Sequence, residues 1–546
     1  MLPEMNREEL DLVLDTLNRF SKKRLDDQTL LALDEQELCP TDILQELMGP
    51  EVGIHLAFIP TAYGGMGGGA KAIFRICEAV AGVDLGVATS LLGVSLGTDP
   101  LRVGGTDEQK EKWMTKIAED GLLVAYAVTE PSAGSDLASI RTKAVPVVKD
   151  GKTVAYRIDG SKQFITNGGL ANLYTVLAMA PGGPTFFVVE RGTPGLEPGP
   201  SEHKHGIRAS NTTSLSLEGV EVPVENLIGG VEGQGLAQAQ RVFGYTRVMV
   251  AAFGLACGEA AMQRALEYGS ERIQDGSTLT NKPAWTHKLI VPHATALQAA
   301  RSFIEQLTDR LDAGEPDLAT QGAVAKLVAT EYGNAAAEAA IQAHGGYGYI
   351  HDYVVEKIKR DVRITCIYEG TSEILQRTIA REGWRRHLQT RGRYYLDMAE
   401  EMVNLEKLKP GTGALMAGSA CRVLAETLEV ARRSRLTRHQ HVLFQLGWMM
   451  ARTEVACAFA RKAASGNPDS SKLSADCLVP MSRLWSRRVA TEVSREGLDV
   501  VGGADALAGD ELRAFEERIG IRSINDGLVG QLADLDTVAK CLIDTL

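Results

Sequence analysis

The chain has 546 residues, of which 44% are hydrophobic, and its formal net charge is −12. This length exceeds what a single hydrophobic core usually serves, so we expect three or four domains. The acidic balance argues against a protein that coats nucleic acid or an anionic membrane. The eight cysteines are scattered without a C-x-x-C pair, which predicts reduced thiols and neither a disulfide framework nor a zinc site.

The first part of the chain is predicted to be helical. Its opening stretch, MLPEMNREELDLVLDTLNRF, is acidic and amphipathic, and lacks the marks of a signal or transit peptide. No apolar run reaches about 18 residues, so no membrane-spanning segment is expected and a cytoplasmic location is predicted. Apolar residues three and four apart, as in AIFRICEAVAG, predict an α-helical N-terminal domain over 1–121.

The hydrophobic period then changes. Short runs rich in β-branched and aromatic residues, such as TFFVVERG and TSLSLEGVEV, are bounded by Gly, Pro and Asn. They predict about five to seven strands over 122–229, arranged as a small antiparallel β-barrel domain. The expected class is therefore mainly α with a central β domain.

Helical patterns return after the strands. Long alanine-rich segments over 230–390 are apolar on one face and predict a four-helix-bundle domain. A C-terminal helical extension is expected over 391–546. Within it, HVLFQLGWMMARTEVACAFARK (441–462) allows a peripheral membrane contact, but a buried bundle helix is favoured because its apolar residues run broadly around the helix.

The sequence of the extension repeats a pattern found in the preceding bundle. In the bundle, a glycine pair that begins at Gly345 is followed 24 residues later by the acid–glycine pair at Glu369. In the extension, a glycine pair that begins at Gly502 is followed 24 residues later by the acid–glycine pair at Asp526. We interpret this as a degenerate internal duplication, with chance coincidence as the alternative. The second copy has no Thr-Ser after its acid and is not expected to be a second active site.

Four stretches carry residues suited to chemistry: AYAVTEPSAGSDLASIRTKA (125–144), GSKQFITNGG (160–169), QAHGGYGYIHDYVVEKIKRDVR (342–363) and YEGTSEI (368–374). Each alone has an ordinary structural interpretation. They are typical of a strand with its turn, a hairpin end, a glycine-capped helix C-terminus and a helix N-cap with acids favoured by the dipole.

Together, and in this order on an α–β–α background, the four stretches resemble the flavin-dependent acyl-CoA dehydrogenases. The resemblance covers residues from about 5 to 390 and rests chiefly on TEPSAGSD, FITNGG and YEGT. It implies that FAD lies between the barrel and the following bundle, with a neighbouring subunit completing its site. The extension is similar to that of very-long-chain members, which favours a homodimer.

The resemblance also assigns the cofactor contacts. Strand residues would hold the flavin ring, small turn residues would let the backbone approach the diphosphate, and a cation would reach the partner's FAD. Phe164 stands where many relatives have tryptophan, and IQDGS after Arg272 departs from the usual pattern. The FAD-binding residues implied are Tyr126, Val128, Thr129, Ser135, Phe164, Thr166, Arg272, Gln342, Gly345, Gly346 and Thr371.

Glu369 is the expected catalytic base. A carboxylate is a weak base for the α-proton of a thioester, but burial raises a carboxylate's pKa and hydrogen bonds stabilise the developing enolate. Tyr368 would supply an apolar wall and Gly370 room for the thioester. Some relatives carry the base just before the CoA-helix arginine, where this chain has Thr246, so no rival base is seen.

Substrate contacts follow from the same resemblance. Arg247 aligns with the CoA-binding arginine, Ser135 would touch the acyl-CoA, and Gly244 replaces a frequent acid. The acyl pocket is expected to end at GVATSLLGVSLG, where small residues such as Ala88 and Gly93 leave depth and Leu91 or Leu92 would shorten it.

The sequence thus predicts an FAD-dependent acyl-CoA dehydrogenase of fatty acid β-oxidation that forms a trans-2-enoyl-CoA, with a long-chain fatty acyl-CoA as the expected substrate. An electron-transfer flavoprotein is the expected electron acceptor. No metal site and no nucleic-acid partner are predicted. The alternatives are an acyl-CoA oxidase that uses O2 and a non-catalytic scaffold of the same fold. A branched, cyclic or dicarboxylic acyl group would use the same catalytic parts.

Overall fold

The computed structural model describes residues 4–467 and 473–545, with only the helical backbone given at 243–245. The chain divides into two compact units. The first unit comprises Met1–Cys257, Thr308–Ala319 and Arg360–Thr365, and the second comprises Gly258–Leu307, Thr320–Lys359 and Cys366–Leu546.

The first unit begins with six α-helices, four of which start at a residue whose side chain caps the helix N-terminus. Asp84 accepts a hydrogen bond from Val87 N at 2.8 Å where α5 begins. Thr106 and Gln109 form a reciprocal capping box on α6. The helices are α1 (Arg7–Arg24), α2 (Asp27–Glu35), α3 (Thr41–Met48), α4 (Ala70–Ala81), α5 (Leu85–Gly104) and α6 (Asp107–Asp120).

Seven strands follow and form one curled sheet in the order β1-β4-β2-β3-β7-β6, with β5 paired to β4. Aromatic and β-branched side chains such as Tyr174, Phe187 and Val222 fill its core. The strands are β1 (Val124–Ala127), β2 (Lys143–Lys149), β3 (Lys152–Thr166), β4 (Leu173–Ala180), β5 (Gly183–Glu190), β6 (Leu196–Ser201) and β7 (Thr212–Pro223).

The predicted mainly α class with a central β domain is confirmed. The sheet is not wholly antiparallel, however, because β4 runs parallel to both β1 and β2. The remaining pairings, such as β3 with β7, are antiparallel. A parallel pair needs a long crossover, and here the chain between β1 and β4 contains β2 and β3.

Helices dominate the rest of the chain, apart from a two-stranded hairpin. They begin with α7, which runs from the first unit into the second. The elements up to residue 389 are α7 (Gly235–Glu271), β8 (Ile273–Gln274), β9 (Ser277–Thr278), α8 (Pro283–Trp285), α9 (Val291–Asp312), α10 (Ala319–His344), α11 (Val354–Val362) and α12 (Ser372–Gln389).

The extension packs within the second unit. Gly447 lies against the backbone of Gln376, and Trp448 stacks on Tyr332 with ring centroids 6.0 Å apart. Its helices are α13 (Arg393–Leu408), α14 (Ala414–Arg433), α15 (Gln440–Ser465), α16 (Ala475–Gly503), α17 (Gly509–Ile519), α18 (Ile521–Asp526) and α19 (Gln531–Ile543).

The helix covering 441–462 is α15, and its side chains are buried along most of its length. Among the described residues no helix is long and apolar enough to cross a membrane.

One pair of cysteines departs from the expectation of free thiols. Cys477 on α16 and Cys541 on α19 form a disulfide whose Cα atoms are 6.1 Å apart. The two residues are 64 positions apart, and the antiparallel packing that brings them together is not visible in the spacing of the sequence. The expectation is therefore wrong for this pair, and the other six cysteines, all within the described part of the chain, are not disulfide-bonded.

Replacing Cys541 by serine is expected to lower the free energy of unfolding of the helical unit by about 2–4 kcal/mol, because the crosslink closes a loop of 64 residues. Thermal unfolding with and without dithiothreitol measures this effect. The reductant should lower the midpoint of the parent protein to that of the Cys541→Ser variant and leave the variant unchanged. Alkylation of both thiols in the untreated protein would contradict the prediction.

Candidate active site

The segment from Tyr368 to Thr371 is a strained loop just before α12. Glu369 has a φ of 53° and Gly370 a φ of 95°, so two consecutive residues lie in the left-handed region. That region disfavours a residue with a Cβ such as Glu369. Thr371 ends the loop as the N-cap of α12, its hydroxyl accepting a hydrogen bond from Ile374 N at 3.3 Å. Glu369 is thus half-buried beside the N-terminus of a helix.

Two side chains of α10 hold this loop. The amine of Lys326, which is fully buried, donates to the carbonyl oxygen of Gly370 at 2.7 Å. One turn further along, Glu331 accepts a hydrogen bond from the hydroxyl of Ser372. These contacts hold the carbonyl of Gly370 within the loop and the side chain of Ser372 just after it, which helps to offset the strained dihedral angles. Neither Lys326 nor Glu331 was expected from the sequence, although a lysine in the apolar stretch AVAKLVAT was a usable signal.

A second group of expected residues lies elsewhere in the second unit. The guanidinium of Arg272 lies 5.9 Å from the ring centroid of Tyr347, in the turn that begins at Gly345 and Gly346. Gly345 has a φ of 62°, and a Cβ at either glycine would meet no atom within 4 Å. Gln342 and both glycines are exposed. The turn therefore offers a cation beside bare backbone, a pairing suited to a phosphate-bearing ligand.

In the first unit the structure brings together three residues expected to hold the flavin ring. Gln163 N donates to Thr129 O at 2.9 Å, which sets the end of β3 beside the segment that follows β1. Phe164 has a φ of 57° and is 64% exposed, which is unusual for a large apolar side chain. Thr129 and Thr166 are half-buried next to it. An exposed ring flanked by two hydroxyls fits a flat aromatic ligand.

The other three residues of the first unit that were expected to bind FAD lie in different surroundings. The ring of Tyr126 stacks on Phe186 with ring centroids 5.7 Å apart, and its side chain is half-buried. Val128 is buried and its carbonyl oxygen accepts from Lys162 at 3.1 Å. Ser135 lies in an exposed turn, where nothing crowds the neighbouring Gly134.

A buried ion pair between Lys162 and Glu130 stabilises the end of β3. Lys162 Nζ donates to Glu130 at 2.8 Å and to Leu177 O at 2.6 Å. Glu130 also accepts from the backbone N–H groups of Arg141 and Thr142. Desolvation lowers the pKa of Lys162 to about 8, against the opposing effect of Glu130. Desolvation would raise the pKa of Glu130, but Lys162 and the backbone donors lower it overall, so both groups are charged at pH 7.

Arg247 lies on α7 and donates to Ala319 O at 3.3 Å within the first unit. Gly244, where a frequent acid is replaced, falls within 243–245, whose side chains lie outside the described part of the structure. Among the residues that are described, no three His, Cys, Asp or Glu side chains are grouped to hold a metal ion.

The expected role of Gly93 in opening an acyl pocket is wrong. A Cβ there would stand 2.7 Å from the side-chain nitrogen of Asn167, and that nitrogen donates to Ser90 O at 2.9 Å. The space beside Gly93 is therefore filled by the loop after β3. The glycine lets α5 approach this loop closely and leaves no depth for a ligand.

Three family models match the chain. The acyl-CoA dehydrogenase N-terminal domain matches residues 7–120, and the middle domain matches 125–220. The C-terminal domain model matches residues 233–383 and 398–527.

Individual relatives agree with the family models. An acyl-CoA dehydrogenase of Bacillus subtilis is 37% identical over 329 residues, covering 59% of this chain and 85% of its own. The very-long-chain-specific mitochondrial acyl-CoA dehydrogenase of Macaca fascicularis is 36% identical over 362 residues, covering 64% of this chain and 54% of its own. A crystal structure of an acyl-CoA dehydrogenase complexed with FAD from Bacillus anthracis covers 100% of this chain and 96% of its own, with a TM-score of 0.85 and 22% identity.

These matches define the class: the chain belongs to the acyl-CoA dehydrogenase family. It is accordingly an oxidoreductase that acts on carbon–carbon single bonds.

Replacing Lys162 by methionine is expected to lower the free energy of unfolding by about 3–5 kcal/mol, because Glu130 would stay buried without its cation. The double variant Lys162→Met with Glu130→Gln should recover part of this loss. Denaturant unfolding of the parent, single and double variants measures both effects. A single variant as stable as the parent would show that the pair carries no such constraint.

Replacing Lys326 by methionine is expected to lower the dehydrogenase kcat by about 10–100-fold with little change in KM, because Gly370 O loses its donor and the loop shifts. Lys359→Met is the matched control. Its half-buried amine donates to Asn334 O at 3.3 Å, away from the loop. Equal kcat values in the two variants would contradict the prediction.

Proposed function

We propose that the protein dehydrogenates a long-chain fatty acyl-CoA to the trans-2-enoyl-CoA, with Glu369 as the base that removes the α-proton. The observation that carries this proposal is the loop itself. A half-buried carboxylate stands at the start of a helix, in a strained turn that two side chains of α10 hold, the buried Lys326 and the half-buried Glu331. Strain kept in place by such contacts is typical of functional residues.

The family is FAD-dependent, and the residues of the first unit fit that cofactor. Phe164 offers an exposed aromatic face, and Thr129 and Thr166 offer hydroxyls beside it. FAD supplies the hydride acceptor, which no side chain provides. We assign the cofactor contacts to the residues that the resemblance to the family implies: Tyr126, Val128, Thr129, Ser135, Phe164, Thr166, Arg272, Gln342, Gly345, Gly346 and Thr371.

The chain's own part in the reaction follows from the chemistry of its groups. The carboxylate of Glu369 takes the α-proton, and its backbone N–H donates to the thioester oxygen, where negative charge develops. Gly370 leaves room for the thioester, and Tyr368 excludes water on the other side. Lys326 keeps the loop in place while the proton moves, because its amine is bonded to the backbone carbonyl of Gly370.

The partners proposed are an acyl-CoA, an electron-transfer flavoprotein and a second copy of the chain. Ser135 and Arg247 are assigned to the CoA moiety. The long-chain choice is supported by the similarity to the very-long-chain-specific enzyme, which is 36% identical over the matched residues. No nucleic-acid partner is proposed, because the net charge of the chain is −12.

We also infer that the extension arose by duplication of the preceding bundle, within proposed domains of 1–121, 122–229, 230–390 and 391–546. One family model matches both segments. The helices α16, α17 and α19 begin 156, 155 and 159 residues after α10, α11 and α12.

The duplicated loops are held in the same way. Arg487 Nε donates to Gly527 O at 2.8 Å, as Lys326 does to Gly370 O. The second copy has an exposed acid, Asp526, followed by Gly527 and Leu528 in place of Gly370 and Thr371. An exposed acid without the N-cap threonine is unsuited to proton abstraction, so one active site per chain is proposed.

The test is anaerobic mixing of the holoenzyme with straight-chain acyl-CoAs of graded length, with branched, cyclic and dicarboxylic acyl-CoAs beside them, followed by flavin absorbance. Bleaching should be fastest with the long straight chains. Glu369→Gln should retain FAD and bleach about 10²–10⁴-fold more slowly, which is the usual contribution of a general base.

The matched control is Glu373→Gln, an exposed acid in the first turn of α12. It should bleach at the parent rate. Fastest bleaching with short or branched chains would overturn the long-chain choice. Unchanged bleaching in Glu369→Gln would overturn the role of that residue, and oxygen uptake during aerobic turnover would favour an oxidase.

A further inference from the structure

The segment that carries Glu369 is closed at its base. Cys366 lies three residues before Glu369, and Ser372 lies three residues after it. The hydroxyl of Ser372, which donates to Glu331, also lies 3.5 Å from the carbonyl oxygen of Cys366. Glu369 is therefore the middle residue of a short loop whose two ends meet, and a shift of either end would move its carboxylate.

Asn334 of α10 holds the first of these two ends. Its side-chain nitrogen donates to Cys366 Sγ at 3.3 Å and to Thr330 O at 3.0 Å. Asn334 and Cys366 are both buried. The bond to Thr330 O, one turn back on α10, fixes the direction in which the amide reaches Cys366. Lys359 donates to the main-chain oxygen of Asn334, so that contact does not involve the amide side chain.

The thiol of Cys366 is suited to accept this bond. Burial raises the pKa of the thiol, and the nearby Glu331 carboxylate raises it further, so the sulfur keeps its proton at neutral pH. A neutral sulfur is a weak acceptor. The contact with Asn334 therefore adds little stability to the fold, and its main effect is on the position of the loop.

Three contacts to the loop come from one face of α10. They are made by Lys326, Glu331 and Asn334. At about 100° and 1.5 Å per residue, these positions fall within an arc of roughly 140° and a span of about 12 Å. Asparagine is a poor residue for a helix interior, and a buried amide needs partners. The contact with Cys366 gives the amide of Asn334 one of them.

We propose that Asn334 is a positioning residue for Glu369 and acts through Cys366. The contacts at Gly370 and Ser372 hold the loop after the glutamate, and Asn334 holds it before the glutamate. With both sides held, the loop cannot pivot about Gly370, and the carboxylate keeps one direction of approach to the α-proton. This inference rests on the proposed role of Glu369 as the base.

The experiment measures kcat and KM of the holoenzyme with the acyl-CoA that bleaches its flavin fastest. Asn334→Leu and Cys366→Ala should each lower kcat by about 5–50-fold and change KM by less than about twofold, because a misplacement of about 1 Å can cost 10²-fold. The double variant should be no slower than the slower single variant, because both changes remove the same contact. Cys366→Ser keeps an acceptor and should recover most of the rate.

The matched control is Gln321→Leu, which also removes a buried amide of α10, one that faces the guanidinium of Arg386. It should keep the parent kcat. Equal kcat values in Asn334→Leu and Gln321→Leu, with Glu369→Gln slowed, would overturn the positioning role and leave the proposed function standing. Additive losses in the double variant, or a higher KM at the parent kcat, would also overturn it.

The variant Glu369→Gln separates the two proposals. Bleaching at the parent rate in this variant would overturn the proposed function and the positioning role with it. Thermal unfolding shows which variants are folded. Should Cys366→Ala fail to fold, Asn334→Leu decides the matter, because leucine keeps about the volume of the amide and removes only its polar atoms.

Discussion

The contact between the Lys326 amine and the Gly370 carbonyl is the interaction on which the candidate active site depends. Two consecutive residues with positive φ cannot hold their conformation by local preference, because one of them is a glutamate. A buried ammonium group has few ways to be satisfied, and a backbone carbonyl at 2.7 Å is one of them. The same hydrogen bond therefore gives the buried ammonium group an acceptor and stabilises the strained loop.

This arrangement separates positioning from chemistry. Lys326 acts on the backbone of Gly370 and Glu331 acts on the hydroxyl of Ser372, so two contacts that hold the loop are made through groups other than the Glu369 carboxylate. Hydrogen bonds to the charged form lower a carboxylate's pKa. These two contacts therefore hold the loop without lowering the basicity of the carboxylate.

The second bundle shows which part of this design belongs to the fold. Arg487 reaches Gly527 O as Lys326 reaches Gly370 O, yet the acid beside Gly527 is exposed. A cation-to-carbonyl contact is therefore also made where no catalytic acid is expected, by Arg487 one turn beyond Arg483, the counterpart of Lys326. This indicates a structural role in closing the helix–loop–helix turn. What distinguishes the first copy is the half-buried glutamate and the threonine that caps the next helix.

The sequence could predict elements and motifs, but not contacts between distant segments. The change from a helical to a strand period at about residue 122 is a local pattern, and the sheet indeed begins at Val124. The parallel pairing of β1 with β4 is not local, because 45 residues separate the two strands. Cys477 and Cys541 and the filling of the space at Gly93 by Asn167 are missed for the same reason.

Buried lysines illustrate this limit most clearly. Lys326 interrupts the apolar stretch AVAKLVAT and Lys162 stands in the polar stretch DGSKQ, yet both are fully enclosed. Each is satisfied by groups far away in sequence: Glu130 and Leu177 O for Lys162, and Gly370 O for Lys326. Such a residue is stable only in the one arrangement that supplies its partners, because any other packing leaves a buried charge without them. Lys162 therefore helps to select the conformation of the strand end, and Lys326 helps to select that of the loop.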